Sequence, residues 1–222
     1  MQEAELMREI LLEGKENRFS ELLRLRKSRK EYFPKQYDYE ARAEQIEGTA
    51  KYIELLVLEK IAPEKSRSRL FQMLADVMSP ERYFPIRIIS YTTGALFLCC
   101  INKCSSFIFS RFCSRPFADE ILDDVPITPF DIKIDQDIEI QLKAYNEETE
   151  RIINTALDKG EICLKGRYPL ISLNIWDARW NGKYATSNYI LVYRDGDQQK
   201  VLNGNFVVEI DNDLNILSVY RQ

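Results

Sequence analysis

The first half of the chain carries its apolar residues at helical spacing. Leu6, Ile10 and Leu11 begin one amphipathic helix, and Phe19, Leu22, Leu23 and Leu25 continue or restart it past Gly14. Tyr32-Phe33-Pro34 breaks that run, because proline cannot continue a helix and restricts the residue before it. A second helix is predicted from about Tyr39 to Ile61, with Ile46, Ala50, Ile53, Leu56 and Val57 on its apolar face. A third runs from about Pro63 to Met78 and a fourth from about Arg82 to Cys104. Ala43, Gly48, Ala50, Gly94 and Ala95 are small enough to let these helices approach closely.

The second half changes period. Phe130 to Asp135 alternates apolar and polar residues, as a half-buried strand does. Ile138 to Leu157 turns helical again and stops at Lys159-Gly160, a basic last turn with a glycine after it. Strands are predicted over Leu170–Ile175, Tyr189–Arg194, Lys200–Leu202, Phe206–Ile210 and Ile216–Tyr220. Asn181-Gly182, Asp195-Gly196 and Asn203-Gly204 supply tight turns. The expected fold class is therefore α+β: a helical part over residues 1–115, a connector over 116–129, and an antiparallel sheet with one helix over 130–222.

Composition narrows the classes of function. With 31 Lys and Arg against 35 Asp and Glu, the net charge of −4 gives no reason to expect a nucleic-acid partner. The basic run Arg24 to Lys30 reads as a solvated helix face. No basic-then-apolar leader opens the chain. The most apolar stretch, Ala95 to Phe109, is shorter than the ~20 residues a membrane-spanning helix needs. It reads as a buried helix and its exit. Cys99, Cys100, Cys104, Cys113 and Cys163 are odd in number and lack Cys-x-x-Cys spacing. They read as small apolar filler in a reducing, cytoplasmic setting. Trp176, Trp180, Tyr184, Tyr189 and Tyr193 offer either a binding face or cross-strand packing, and packing is the expectation.

The chain has no histidine, yet two segments have the character of a zinc peptidase site. Glu47-Gly48-x-Ala50-x-Tyr52 resembles the third-ligand segment of the gluzincin metallopeptidases, particularly their aminopeptidase families. Ser90-Tyr91-Thr92-Thr93-Gly94-Ala95 is similar to the Tyr-x-Lys-Gly-Ala segment of the same families. The resemblance spans about Tyr39 to Lys103. It implies that the helical part corresponds to the C-terminal half of a gluzincin catalytic domain. It also implies that Glu47 is the third zinc ligand and that Tyr91 donates a hydrogen bond to the oxyanion of the tetrahedral intermediate. Thr93 stands where the aminopeptidase pattern has lysine.

Catalytic zinc takes three protein ligands and a water, whose pKa falls toward ~7 when bound. Both histidine ligands and the carboxylate base between them are missing from this sequence. Glu40, Glu44 and Glu47 lie at i, i+4 and i+7, where they suit a hard cation or, more simply, an exposed acidic face paired with Arg42 and Lys51. The expectation is a partial or inactive gluzincin-like metallopeptidase, with no cofactor of its own and no zinc-dependent hydrolysis as this chain. Zinc would bind only if a His-Glu-x-x-His helix were supplied upstream, with Met1 an internal start. The alternatives are a pseudopeptidase that binds peptide or protein, and an α+β interaction domain with a homodimer surface whose resemblance is accidental.

Overall fold

The computed structural model describes residues 1–105, 115–127 and 130–222. Cys113 and the exit from the apolar stretch lie outside these residues. The chain divides into two compact units, Met1–Gln141 and Leu142–Gln222.

The first unit is helical. α1 (Gln2–Glu13) ends where Gly14 takes a left-handed conformation, φ 69°, which glycine adopts without a Cβ clash. A 3-10 turn follows at Glu16–Arg18, and α2 (Phe19–Tyr32) ends before Pro34. α3 (Pro34–Ala43), a π turn at Glu44–Gly48 and α4 (Thr49–Ile61) form one continuous helical run. α5 (Pro63–Val77) and α6 (Ile86–Cys104) complete the bundle, and α7 (Phe117–Glu120) is a single turn packed against it. Phe97, Leu96, Leu98 and Ile101 of α6 sit fully buried among Met7, Ile10, Leu22, Leu25 and Met73. α6 is thus the central helix. Segment 130–135 makes no ladder; it runs as extended chain against the bundle, with Phe130 and Ile132 on the core. Its backbone pairs instead with the Gln2 side chain, which donates to the Asp131 carbonyl and accepts from the Lys133 N–H. The alternation there marks burial of Phe130 and Ile132 only, since Ile134 is exposed, and no partner strand completes it.

Two sequence expectations reverse in this unit. The run Arg24 to Lys30 is not a solvated face, because Arg26 is only 1% exposed. It donates two bonds of 2.8 Å to the Glu44 carboxylate and one of 2.6 Å to Glu3. Its guanidinium also stacks 3.8 Å from the Phe97 ring centroid. Arg29 joins Glu3 to Glu40, and Lys30 reaches Asp119. The apolar face of the second helix also points the other way. Ala41, Glu44, Gly48, Tyr52 and Leu55 face the core and Leu56 of the expected face packs on it, while Ile46, Ala50, Ile53 and Val57 are exposed.

The buried charges give a pH prediction. Burial alone would raise the Glu3 carboxyl, but Arg26 and Arg29 outweigh it and hold it at about 2, against 4.5 when unfolded. A carboxyl lowered on folding contributes stability that is complete above pH 4.5 and lost as pH falls through that value toward 2. Glu40 has the opposite sign: burial raises it despite Arg29. Its contribution is present below its ordinary value and lost as pH rises through the raised one. Urea melts of the wild type are expected to weaken steadily from pH 4.5 to pH 2, and Glu3→Gln is expected to flatten that slope. An unchanged slope in the variant would show that Glu3 is not the group responsible.

The second unit contains most of α8 (Gln136–Lys159) and a seven-stranded antiparallel sheet. The strands are β1 (Ile162–Leu173), β2 (Trp180–Asn181), β3 (Tyr184–Ser187), β4 (Ile190–Asp195), β5 (Gln198–Asn203), β6 (Phe206–Ile210) and β7 (Asn215–Arg221). Their order is β2-β3-β6-β7-β1-β4-β5. β1 pairs β7 along its first part and β4 along its last, with bulges that let it change partners. Strand alternation separates two cores. Phe206, Val208 and Ile210 join Leu191, Ile216 and Val219 on one side, and Val207 meets Ile153 and Ala156 of α8 on the other. Gly182 and Gly196, at φ 56° and 57°, make the turns the sequence marks.

Candidate functional site

The site lies where the π turn meets α6. The Thr49 N–H bonds the Glu44 carbonyl five residues back, so the helical run holds one extra residue in that turn. Gly48 and Gly94 then abut. A Cβ on Gly48 would stand 2.9 Å from Gly94 Cα, and one on Gly94 would stand 2.7 Å from Glu44 Cβ. The Thr93 hydroxyl donates to Glu44 at 2.9 Å, and Lys51 Nζ donates to the Thr92 hydroxyl at 2.8 Å. Lys51 thus bonds α6, not Glu47, and Arg42 pairs with Asp38. The acidic face expected for Glu40, Glu44 and Glu47 is divided: the first two point inward onto arginines, and only Glu47 reaches the surface.

Glu47 and Tyr91 come together around Arg87. Arg87 Nε donates to the Tyr91 hydroxyl oxygen at 2.9 Å, and its terminal nitrogen lies 3.8 Å from a Glu47 carboxylate oxygen. The guanidinium carbon is 5.7 Å from the Tyr91 ring centroid. Burial raises the Tyr91 phenol while Arg87 opposes the rise, so the net shift is upward and the ring keeps its proton at neutral pH. Tyr39 lies close enough to Arg87 to raise its pKa. Tyr39 lines a cavity of about 480 Å³ together with Lys35, Gln36, Glu40, Phe84 and Ile86. Its wall is formed by Tyr39, Phe84 and Ile86 together with three polar or charged residues. Sequence reasoning missed Arg87 and this cavity. The only signal was a basic residue one helical turn before Tyr91, which is ordinary on any helix.

The donor set does not fit zinc. Among the described residues no group of three His, Cys, Asp or Glu could hold a metal ion, and a terminal nitrogen of Arg87 lies 3.8 Å from the Glu47 carboxylate. Burial pushes the Cys99 thiol up to about 12 and raises Cys100 and Cys104, which suits apolar filler and not thiolate ligands. In the sheet unit the aromatic residues divide. Tyr193 is buried, edge to face on Tyr168 with centroids 5.3 Å apart, whereas Trp176, Trp180 and Tyr189 are exposed. The Asp211 carboxylate accepts the Asp213 and Asn215 N–H groups of its own turn, which hold its pKa down. Among the described residues no helix is long and apolar enough to cross a membrane.

Comparison with family models, curated proteins and solved structures finds no match to this chain. Fold and residues alone therefore define the class: an α+β protein with a helical unit followed by an antiparallel sheet.

Proposed function

We propose that the helical unit binds peptide without hydrolysing it, as an inactive relative of the gluzincin metallopeptidases. The observation that carries this reading is the gathering of Glu47, Arg87 and Tyr91 beside an apolar cavity. A peptide needs hydrogen-bond donors for its carbonyl or terminal carboxylate and an apolar recess for a side chain. Arg87 supplies the donors, and the recess formed by Tyr39, Phe84 and Ile86 takes the side chain. Glu47 keeps the place of the third ligand in the Glu-Gly-x-Ala-x-Tyr resemblance, with the Arg87 guanidinium 3.8 Å from its carboxylate. Zinc enters this reading only when a His-Glu-x-x-His segment joins Glu47.

The test is anisotropy of fluorescent nonapeptide pools with the purified chain, with and without zinc, followed by mass spectrometry of the peptides. Saturable binding without new termini is expected. Arg87→Ala is expected to weaken it by about 10- to 100-fold, the value of one charge-assisted hydrogen bond of about 1.5–3 kcal/mol. Absence of binding, or binding indifferent to both Arg87→Ala and Phe84→Ala, would overturn the proposal. Zinc-dependent cleavage would overturn its non-hydrolytic half.

A further inference from the structure

The buried ion network is satisfied at every carboxylate oxygen but one. Both oxygens of Glu44 accept from Arg26, and one of them accepts from Thr93 as well. Glu3 accepts from Arg26 on one oxygen and from Arg29 on the other. Glu40 accepts from Arg29 on Oε2, and among the described residues nothing donates to its Oε1. In this hydrogen-bonded network three carboxylates face two guanidiniums, so one negative charge has no counterpart. Holding that excess away from water is costly, and the position favours a further cation. The same imbalance raises the Glu40 carboxyl, because burial, Glu44 and Glu3 push it up against Arg29 alone.

The under-satisfied carboxylate stands at a cavity. The Glu40 side chain is 16% exposed and lines the recess of about 480 Å³ with Tyr39, Phe84 and Ile86. Lys35, the cation on the same wall, is exposed and forms no ion pair with it. A group that suits this recess is apolar along its length and cationic at its tip. Lysine and arginine side chains have that form, a methylene stem carrying a charged head. An aliphatic side chain leaves the carboxylate unpaired, and an acidic one repels it.

We infer that the recess selects a basic side chain, Lys or Arg, whose stem lies on Tyr39, Phe84 and Ile86 and whose head donates to Glu40 Oε1. Glu40 is then the residue that sets specificity. The inference rests on the peptide reading and names the class of side chain that the recess takes.

The test uses the purified chain and N-acetylated nonapeptide pools, labelled at the C-terminal end, with Lys, Arg, norleucine or Glu fixed at the central position. By anisotropy the Lys and Arg pools are expected to bind about tenfold or more tighter than norleucine, the value of one hydrogen bond between charged groups. The Glu pool is expected to bind weakest. Glu40→Gln keeps the side-chain shape and leaves Arg29 on Glu3. It is expected to bring the Lys and norleucine pools together, with circular dichroism verifying that the variant is folded. Norleucine binding as tightly as Lys to the wild type overturns the inference without any variant. So does a Lys preference that persists in folded Glu40→Gln. If no pool binds, the peptide reading itself fails and this one with it, an outcome distinct from binding without a basic preference.

Discussion

Glu44→Ala is expected to destabilise the helical unit by about 3–5 kcal/mol, the cost of removing one partner from a fully buried ion pair. Arg26 would keep its charge in the core with only the Glu3 carboxylate beside it, and the Thr93 hydroxyl would lose its acceptor on the neighbouring helix. Every 1.4 kcal/mol is tenfold in the unfolding equilibrium, so the unfolded population rises by about 10²–10³ or more. Urea denaturation followed by circular dichroism reads this directly. Removing the exposed Glu5–Arg8 pair with Glu5→Ala is the control, expected within about 0.5 kcal/mol. Replacing both Arg26 and Glu44 by apolar residues is expected to cost less than Glu44→Ala alone, since no charge is then stranded. A loss below 1 kcal/mol in Glu44→Ala would mean that water reaches Arg26 and that the pair is not sealed.

The second large effect is Gly94→Ala, and here the sign decides. In an isolated helix this change stabilises by about 1 kcal/mol, because glycine is the poorer helix former. In this bundle the added Cβ meets Glu44 Cβ at 2.7 Å and Glu44 Cα at 2.9 Å. The second of these is backbone, so α6 must move away from the π turn. A net loss of about 1–3 kcal/mol is expected, as for other overpacked cores, with a larger loss for Gly94→Val. The change also couples to Glu44. It displaces the carboxylate that Arg26 and Thr93 hold, so its cost is not additive with that of Glu44→Ala. A thermal melt in which Gly94→Ala is more stable than wild type would refute the close approach.

Much of the fold is legible in the sequence because local rules and tertiary packing agree. Gly14, Pro34 and Pro63 stop or start helices where a backbone rule demands it, and the Asn-Gly and Asp-Gly turns separate strands as they do in the structure. The small strands β2 and β3 escape notice because Trp180–Asn181 and Tyr184–Ser187 are too short for a period to show. The Phe130–Asp135 alternation misleads for a different reason. Phe130 and Ile132 pack on the bundle at a two-residue period with no neighbouring strand, and Ile134, which extends the pattern, is exposed.

Glu47 and Tyr91 are visible in the sequence as the fixed points of a family resemblance, and the structure places both against Arg87. Arg87 and the cavity beside Tyr39 are invisible from sequence, since a cavity is a property of several elements at once. The second helix shows the limit most clearly. Periodicity finds its apolar face over Ile46, Ala50, Ile53, Leu56 and Val57 and expects that face inward, where only Leu56 packs on the core. Inside stand Glu44 and Gly48, because the contact with α6 is so close that only a glycine fits, and because Arg26 neutralises the carboxylate that enters with it.

The sequence by itself determined the helix breaks at Gly14, Pro34 and Pro63, the Asn-Gly and Asp-Gly turns, the α+β class, and the absence of histidine for a zinc site. Those are consequences of backbone preference and composition, which act within a few residues. Only the tertiary structure decided which face of α4 is buried, which charges are paired, and that Glu47, Arg87 and Tyr91 share one place. Each of those outcomes depends on residues far apart in the chain competing for the same contact, and no local pattern records who wins.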